Sequence, residues 1–290
     1  MTTTDGPTIR PRRSFIFAPG IKPEMFPKAL KTGSDIVCVD LEDAIAPQHK
    51  DEARAKTLAL FAEPQADDGV ERIVRINCLR TTDGLADIAA IVATPTPPPA
   101  LMLPKVKSPD EVAGLDELLT EHGMATRLHV IIETNAGLEA AHEIARSSRR
   151  IDAMFFGGVD MAAELRCKAA WEPLLYARSR LAHAAATAGL DVIDVPYLDL
   201  NDLPGMEQEA RAVADLGFSG KGAIHPSQIA ALNTVFSPSE EVIAHARRIV
   251  AAFAEADSGL VVVDGKLIEK PVLRDMHRIL AVANRLAEVR

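Results

Sequence analysis

The stretch IVCVDLEDAIAPQHKDEARAK, residues 36–56, joins a short apolar run to a charged segment with a helix-like composition. The apolar run stops at three acids within four positions, Asp40, Glu42 and Asp43. A proline and the charged segment follow. The stretch therefore predicts a buried strand, a polar loop and a helix, in that order.

The same pattern recurs along the chain. Eight short apolar runs alternate with longer, Ala- and Leu-rich segments, several of which end in Gly, a common helix stop. The runs are Ser14–Gly20, Ile36–Glu42, Arg72–Asn77, Leu101–Lys105, Leu128–Thr134, Ala153–Gly158, Asp191–Tyr197 and Gly220–Pro226. Most are apolar throughout, as expected of parallel strands that are buried on both faces.

Eight strand–helix units within about 230 residues predict an α/β fold, namely a TIM (β/α)8 barrel. A doubly wound open sheet is the structural alternative. No G-x-G-x-x-G motif follows a strand, which weakens a dinucleotide-binding version of that alternative.

The pattern predicts three parts of the chain. Residues 13–256 form the TIM-barrel catalytic domain, and residues 1–12 are a disordered or extended N-terminus. In the C-terminal part, GLVVVDGKLIEKPVL predicts a hairpin that turns at Asp264 and Gly265, followed by a helix over roughly Val272–Val289. Residues 257–290 are therefore expected to be a hairpin–helix lid or an oligomerisation segment.

Composition narrows the possible partners. The formal net charge of −9 argues against binding to nucleic acid or to acidic membranes. We expect a cytoplasmic protein, because there is no apolar signal region or membrane-spanning run. The three cysteines form no CxxC motif, so no zinc site or disulfide framework is indicated. A local basic pocket for a phosphorylated ligand is possible among Arg10, Arg12, Arg13, Lys22, Lys28 and Lys31.

Polar residues crowd the ends of the predicted strands, where TIM barrels carry their catalytic groups. They are Asp40, Glu42, Asp43, Arg75, Asn77, Lys105, Glu133, Asp160 and His225. Glu133 and Asp160, on neighbouring strands, could share Mg²⁺, which commonly takes one or two carboxylates. Arg75 could grip a substrate carboxylate bidentately. Each residue alone also has an ordinary interpretation, as a helix cap, an ion-pair partner or a turn residue, so the hypothesis depends on their convergence.

Seven motifs stand in order along the chain: RSFIFAPG, DIVCVDLEDAIAPQHKDEAR, VRIN, LMLPKV, IETNAGL, GGVDMAAEL and GKGAIHPSQI. Together they closely resemble the CitE-like branch of the HpcH/HpaI aldolase and citrate lyase superfamily, from about Arg13 to the C-terminus. This branch contains citrate lyase β subunits, malyl-CoA lyases and citramalyl-CoA lyases.

The resemblance implies a TIM barrel and an Mg²⁺-dependent carbon–carbon lyase in a homotrimer or homohexamer. The substrate would be a 3-hydroxy-3-carboxyacyl thioester of CoA or of an acyl carrier, of the malyl or citramalyl type. Retro-Claisen cleavage would release a keto acid and acetyl-CoA. By motif, the resemblance assigns Glu133 and Asp160 as metal ligands and Arg75 as the residue that binds the substrate carboxylate. Lys105 is expected to support the rim electrostatically, since no Schiff base is needed.

Further residues follow from the same resemblance. Glu42 and Asp43 would lie beside the metal and its waters, and Lys28 near the acyl-CoA or keto acid. Relatives usually carry G-K-M-I-D-x-P in the tail hairpin, and its Asp is thought to act as acid or base from a neighbouring subunit. This chain has GKLIEKP instead, which places Glu269 at that position.

Three alternatives remain open. The chain could be an acyl-CoA thioesterase, which would release free thiol and an intact hydroxy acid. It could be a citrate lyase β subunit that works on a carrier-protein thioester within a complex. A non-catalytic ligand-binding descendant would bind without metal or turnover.

Overall fold

The computed structural model describes residues 10–256 and 259–288. Eight consecutive strands form a closed barrel, in which each strand pairs parallel with the next and β8 pairs with β1. The strands are β1 Ser14–Pro19, β2 Ile36–Asp40, β3 Glu71–Arg75, β4 Ala100–Leu103, β5 Arg127–Ile132, β6 Ile151–Phe156, β7 Asp191–Asp194 and β8 Gly220–Ala223. The closure confirms the TIM barrel and excludes the open doubly wound sheet.

Helices surround the barrel and alternate with its strands. They are α1 Phe26–Ala29, α2 Lys50–Ala59, α3 Thr82–Ala93, α4 Pro109–Glu121, α5 Asn135–Glu139, α6 Ala141–Arg146, α7 Gly158–Leu165, α8 Trp171–Ala188, α9 Leu203–Asp215 and α10 Ile229–Val235. Short 3₁₀ turns lie at Pro23–Met25, Pro47–His49 and Pro226–Gln228.

All eight predicted strands exist, and each ends one to three residues before its predicted end. β2, for example, ends at Asp40, so Glu42 and Asp43 lie in the loop beyond it. The early ending has a local cause. The Asp40 carboxylate accepts the backbone N–H groups of Glu42 (2.9 Å) and Ala44 (3.1 Å), which turns the chain away from the strand direction.

Apolar side chains fill the interior of the barrel. They are contributed by seven of its strands and are Phe15, Ile36, Cys38, Ile73, Ala100, Met102, Ile131, Ala153, Phe155 and Ile193. This packed layer separates two polar ends. Polar residues at the carboxyl ends of the strands therefore share one mouth of the barrel.

The chain divides into two compact units, one of residues Arg12–Asn233 and one that contains the chain from Thr234 onward. In the second unit, helix α11 (Glu240–Glu255) precedes an antiparallel hairpin of β9 (Leu260–Val263) and β10 (Lys266–Glu269). The turn at Asp264 and Gly265 has positive φ at both residues, which confirms the predicted hairpin.

Helix α12 (Lys270–Glu288) follows the hairpin. The role of this tail as a lid or oligomer contact stays a prediction. The N-terminal segment expected to be disordered or extended lies outside the described residues up to residue 9. Among the described residues, no helix is long and apolar enough to cross a membrane. The cytoplasmic location also stays a prediction.

Candidate active site at the carboxyl ends of the strands

Asp40 organises the loop that follows β2. Its buried carboxylate accepts two hydrogen bonds from the Arg75 guanidinium, from Nε at 2.7 Å and from Nη2 at 2.8 Å, besides the two backbone N–H groups of its own loop. Burial alone raises the pKa of Asp40, but these hydrogen bonds and the charge of Arg75 outweigh burial and hold the pKa below its usual value. Asp40 is thus an ionised positioning group rather than a free acid.

Arg75 was expected to bind a substrate carboxylate with two nitrogens. Its Nε and Nη2 are already occupied by Asp40, and its guanidinium lies 4.7 Å from the centre of the Phe17 ring. The remaining nitrogen, Nη1, lies 3.1 Å from Glu42 Oε2 and 3.6 Å from Asp43 Oδ2. A ligand of Arg75 would therefore share Nη1 with Glu42, while Nε and Nη2 hold the loop through Asp40.

Lys105 joins the same acids from the loop after β4. Its Nζ contacts Glu42 Oε1 and lies 3.3 Å from Asp43 Oδ1. Burial lowers the pKa of Lys105, but the two acids outweigh burial and raise the pKa above its usual value. The acids favour the charged ammonium, which is a poor nucleophile, and the role of Lys105 as electrostatic support of the rim stays a prediction.

Glu133 lies just beyond β5 and is 3% exposed. Its Oε1 accepts the backbone N–H of Lys105 at 2.8 Å. Burial, followed by the charges of Glu42 and Asp160, raises the pKa of Glu133 to about 8. Burial and the two neighbouring acids therefore both disfavour the charged form of Glu133.

Asp160 lies in the first turn of α7, in the loop region that follows β6. Its carboxylate has no hydrogen bond or ion pair with any residue in the described part of the chain. It is half-buried and lines, with Glu133, an open pocket of about 450 Å³. Lys105, Thr134, Arg80 and Lys107 also line this pocket.

The pair of Glu133 and Asp160 fits a hard divalent cation. Both offer carboxylate oxygens, the ligands that Mg²⁺ prefers, and the open pocket leaves room for water and substrate oxygens. A cation would also offset the burial and the neighbouring negative charges, which together raise the pKa of Glu133. Glu133 and Asp160 are therefore the residues that could hold a metal here.

A glycine makes room for Glu133. A Cβ atom on Gly157 would lie 2.3 Å from Glu133 Oε2 and 2.4 Å from Glu133 Cβ, well inside van der Waals contact. Gly157 has φ −90°, so its backbone does not require glycine. The close approach to the Glu133 side chain does.

Sequence reasoning missed the part played by Lys50, at the start of α2. Its Nζ donates to the carbonyls of Leu41 (2.8 Å) and Glu42 (2.6 Å) and to Asn77 Oδ1 (2.6 Å). Lys50 thus ties the loop after β2 to the loop after β3. The only sequence signal was a lysine within PQHKDEAR, which also suits an ordinary helix start. Asn77 is anchored in turn by buried Asp87, which accepts its backbone N–H at 2.8 Å and its side-chain N–H at 2.7 Å.

Lys28, His225 and Glu269 are not among the residues that line the pocket. Lys28 is exposed on α1, and its ammonium has no hydrogen bond or ion pair among residues 10–256 and 259–288. His225 forms a turn, in which its Nδ1 lies 2.8 Å from Ser227 Oγ. Glu269 is the last residue of β10, exposed, in the second unit.

Two arginines of the N-terminal basic cluster form ion pairs within the barrel unit. Arg13 pairs with Asp35 at 2.7 Å, and buried Arg12 pairs with Glu71 and Asp191 at 2.8 Å each. They belong to the start of β1, at the opposite end of the barrel from the pocket. The structure gives these two arginines a structural role instead of a phosphate pocket.

A second set of possible metal ligands lies at that opposite end of the barrel. Glu71, His129 and Asp152 have ligand atoms within 4.8 Å of one another, a spacing that could suit a metal. The Arg12 guanidinium already occupies this space, at 2.8 Å from Glu71 and 3.6 Å from Asp152. The group is therefore an internal ion-pair network, in which a cationic side chain supplies the balancing charge.

The fold and the acids at its mouth define a TIM-barrel protein with a candidate divalent-cation site. The HpcH/HpaI aldolase/citrate lyase family model matches residues 13–226. The chain belongs to this family, as the sequence motifs predicted.

Similarity to individual proteins supports this assignment. The chain is 34% identical over 286 residues to citrate lyase subunit beta of Escherichia coli, which covers 94% of each protein. It is 30% identical over 297 residues to human mitochondrial citramalyl-CoA lyase, covering 96% of this chain and 87% of the relative. Among solved structures, CitE of Mycobacterium tuberculosis in complex with magnesium, acetoacetate and coenzyme A matches with a TM-score of 0.76 and 30% identity, covering 93% of this chain and 97% of that one.

Proposed function

We propose that the protein is an Mg²⁺-dependent carbon–carbon lyase that cleaves a 3-hydroxy-3-carboxyacyl-CoA of the malyl or citramalyl type into a keto acid and acetyl-CoA. The observation that carries this proposal is an open pocket lined by buried Glu133 and by Asp160, which has no hydrogen bond or ion pair among the described residues. The family, the relative named citramalyl-CoA lyase and the magnesium and coenzyme A in the CitE structure support it.

Glu133 and Asp160 would hold the Mg²⁺. When bound, the ion supplies Lewis acidity toward the substrate's carboxylate and hydroxyl oxygens. Arg75 would donate from Nη1 to the substrate carboxylate, because its other two donors are fixed on Asp40. Lys105, held by Glu42 and Asp43, would keep a positive charge at the rim, where negative charge develops during cleavage.

The reaction needs a base for the hydroxyl proton. We assign this role to Glu269, reaching the pocket from a neighbouring subunit of a homotrimer or homohexamer. Loss of the proton and rupture of the carbon–carbon bond give the keto acid and a thioester enolate. Protonation of the enolate carbon then gives acetyl-CoA.

The hairpin itself supports an oligomer. Leu260, Val262 and Leu267 are 48%, 69% and 61% exposed, and Glu269 lies directly opposite Leu260 across the two strands. An exposed apolar hairpin face that carries a carboxylate suits a contact with a second copy of the chain. The oligomeric state would be read from light scattering of the purified protein.

One alternative has an observation in its favour. The similarity to citrate lyase subunit beta over 94% of the chain suits a subunit that cleaves a carrier-bound citryl thioester. Activity on an acyl-carrier thioester, together with no activity on the CoA thioester, would support this alternative.

Product analysis tests the proposal. Malyl-CoA and both citramalyl-CoA enantiomers would be incubated with and without Mg²⁺, and keto acid and free thiol would be detected separately. The proposal predicts Mg²⁺-dependent keto acid. Release of thiol without keto acid would identify a thioesterase instead.

A further inference from the structure

The pocket that contains Glu133 and Asp160 also contains two cationic side chains that the proposed reaction does not use. Arg80 comes from the loop between β3 and α3, and Lys107 from the loop between β4 and α4. The Arg80 side chain is 51% exposed, and Lys107 is exposed as well. Both can therefore reach a molecule that enters the pocket.

Glu111 fixes this pair of loops. Its Oε1 accepts from Arg80 Nη2 at 2.5 Å and from the backbone N–H groups of Lys107 (3.0 Å) and Ser108 (3.2 Å). One carboxylate thus holds the Arg80 guanidinium and the Lys107 backbone together. Arg80 is oriented in advance, which reduces the entropy cost of binding a ligand.

The charge of the pair is only half compensated. Glu111 balances one of the two positive charges. The Lys107 ammonium has no hydrogen bond or ion pair within the part of the chain that the structure describes. A pre-oriented guanidinium and an unpaired ammonium on one pocket wall are the donors that bind carboxylate or phosphate.

We propose that Arg80 and Lys107 form an anion-binding subsite of this pocket, which binds a second anionic group of the substrate while Glu133 and Asp160 serve the reacting end. This inference rests on the proposed function for the identity of the substrate. The group is either a second carboxylate on the keto-acid half or a phosphate of the thioester carrier. Both groups are oxyanions, whose oxygens accept hydrogen bonds from cationic donors.

The competing interpretation is a surface ion pair between Arg80 and Glu111, with Lys107 merely solvated. Such a pair contributes little to stability and nothing to ligand binding. The two interpretations differ in ligand affinity, which can be measured without turnover.

The test is isothermal titration of the Mg²⁺-loaded protein with two matched ligand pairs. Coenzyme A and pantetheine differ in the nucleotide that carries the phosphates, and oxaloacetate and pyruvate differ in one carboxylate. The variants are Arg80→Gln, Lys107→Gln and the double substitution. Arg149→Gln is the control, since Arg149 is an exposed arginine in the loop before β6, at the other end of the barrel.

We expect the double substitution to weaken binding of the charged member of one pair about tenfold or more, with its partner and the Arg149→Gln control unchanged. An effect on coenzyme A identifies the phosphate-bearing nucleotide of the carrier, and an effect on oxaloacetate identifies the carboxylate. Unchanged affinity for all four ligands would overturn the subsite, as would equal weakening of both members of a pair or no binding by the wild type. If the selective loss appears but the wild type forms no keto acid from any thioester, the proposed function fails and the subsite stands.

Discussion

Replacement of Gly157 by alanine tests how closely the pocket is built around Glu133. The new methyl carbon would lie 2.4 Å from Glu133 Cβ and 2.3 Å from Glu133 Oε2. Carbon atoms in contact are normally about 3.5–4.0 Å apart, so one group must move by about 1 Å or more. The backbone of Gly157 has an ordinary φ, so the overlap with Glu133 is the main cost of Gly157→Ala.

Gly157→Ala should change both the stability of the fold and the affinity for Mg²⁺, and the two effects can be measured separately. Overpacking of a buried site typically costs about 1–3 kcal/mol, and we expect Gly157→Ala near the upper end because the overlap includes Cβ, which no rotamer change can relieve. The affinity for Mg²⁺ should be affected more strongly than the free energy of unfolding. Mg²⁺ demands oxygen ligands at about 2.0–2.1 Å, so a displacement of Glu133 by about 1 Å removes it from coordination.

Urea unfolding and Mg²⁺ titration measure the two effects. Gly114→Ala is the matched control, since Gly114 lies within α4 with open space around its Cβ direction, and we expect it to stabilise the protein by up to about 1 kcal/mol. The reasoning is refuted if Gly157→Ala binds Mg²⁺ as tightly as Gly114→Ala does. Lost metal affinity with native stability would instead mean that the backbone at Gly157 or Glu133 shifts and relieves the overlap at little cost.

Three further substitutions test the groups that position the site. Lys50→Met should destabilise the protein by about 2–4 kcal/mol, because three oxygens lose a charged donor. Asp40→Asn should cost about 3–5 kcal/mol in urea unfolding, because it breaks a buried pair with Arg75. Glu71→Gln should cost about 3–5 kcal/mol at pH 7 for the same reason, through its buried pair with Arg12. Burial raises the pKa of Glu71, but His129 and Arg12 outweigh it and hold the pKa far below the unfolded value of about 4.3, so Glu71 stabilises the fold above that pH and loses this effect as pH falls below it.

Each of these predictions has a control on the same protein. Lys56→Met, on the same helix as Lys50, removes a pair with Glu52 and a 3.3 Å hydrogen bond to the Ile21 carbonyl, and should change stability by less than about 1 kcal/mol. Asp110→Asn and Glu63→Gln alter exposed acids and should leave urea unfolding unchanged. A Lys50→Met protein as stable as Lys56→Met would disprove the tether. An Asp40→Asn protein that unfolds like Asp110→Asn would mean that the Arg75 pair contributes nothing. A Glu71→Gln protein that keeps the wild-type loss of stability below pH 4 would contradict the Glu71 assignment.

The sequence predicted the barrel well because its signal is local and repeated. Buried parallel strands are apolar along their whole length, and eight such runs leave few topologies. The strand ends were less accurate. The hydrogen bonds from Asp40 that end β2 at Asp40 depend on the loop geometry, which no apolar pattern encodes.

In the candidate site, too, the sequence predicted some features and missed others. Glu133 and Asp160 were found because both follow strands, and strand ends meet in a closed barrel. The tether by Lys50 and the occupied edge of Arg75 depend on contacts across 27 and 35 positions of sequence. His225 also follows its strand, yet its imidazole caps a turn. The position of a residue in the sequence therefore predicts that it lies at the mouth of the barrel. It does not predict which of its side-chain atoms are available to a ligand.

The most direct test of the account is keto acid formation from citramalyl-CoA as a function of Mg²⁺ concentration, compared between the wild type and Asp160→Asn. The account predicts activity that requires Mg²⁺ in the wild type and an apparent Mg²⁺ affinity lower by roughly 100-fold or more in the variant, since even outer-shell partners of a metal contribute 10–100-fold. Keto acid formation with the same Mg²⁺ dependence in both proteins would contradict it.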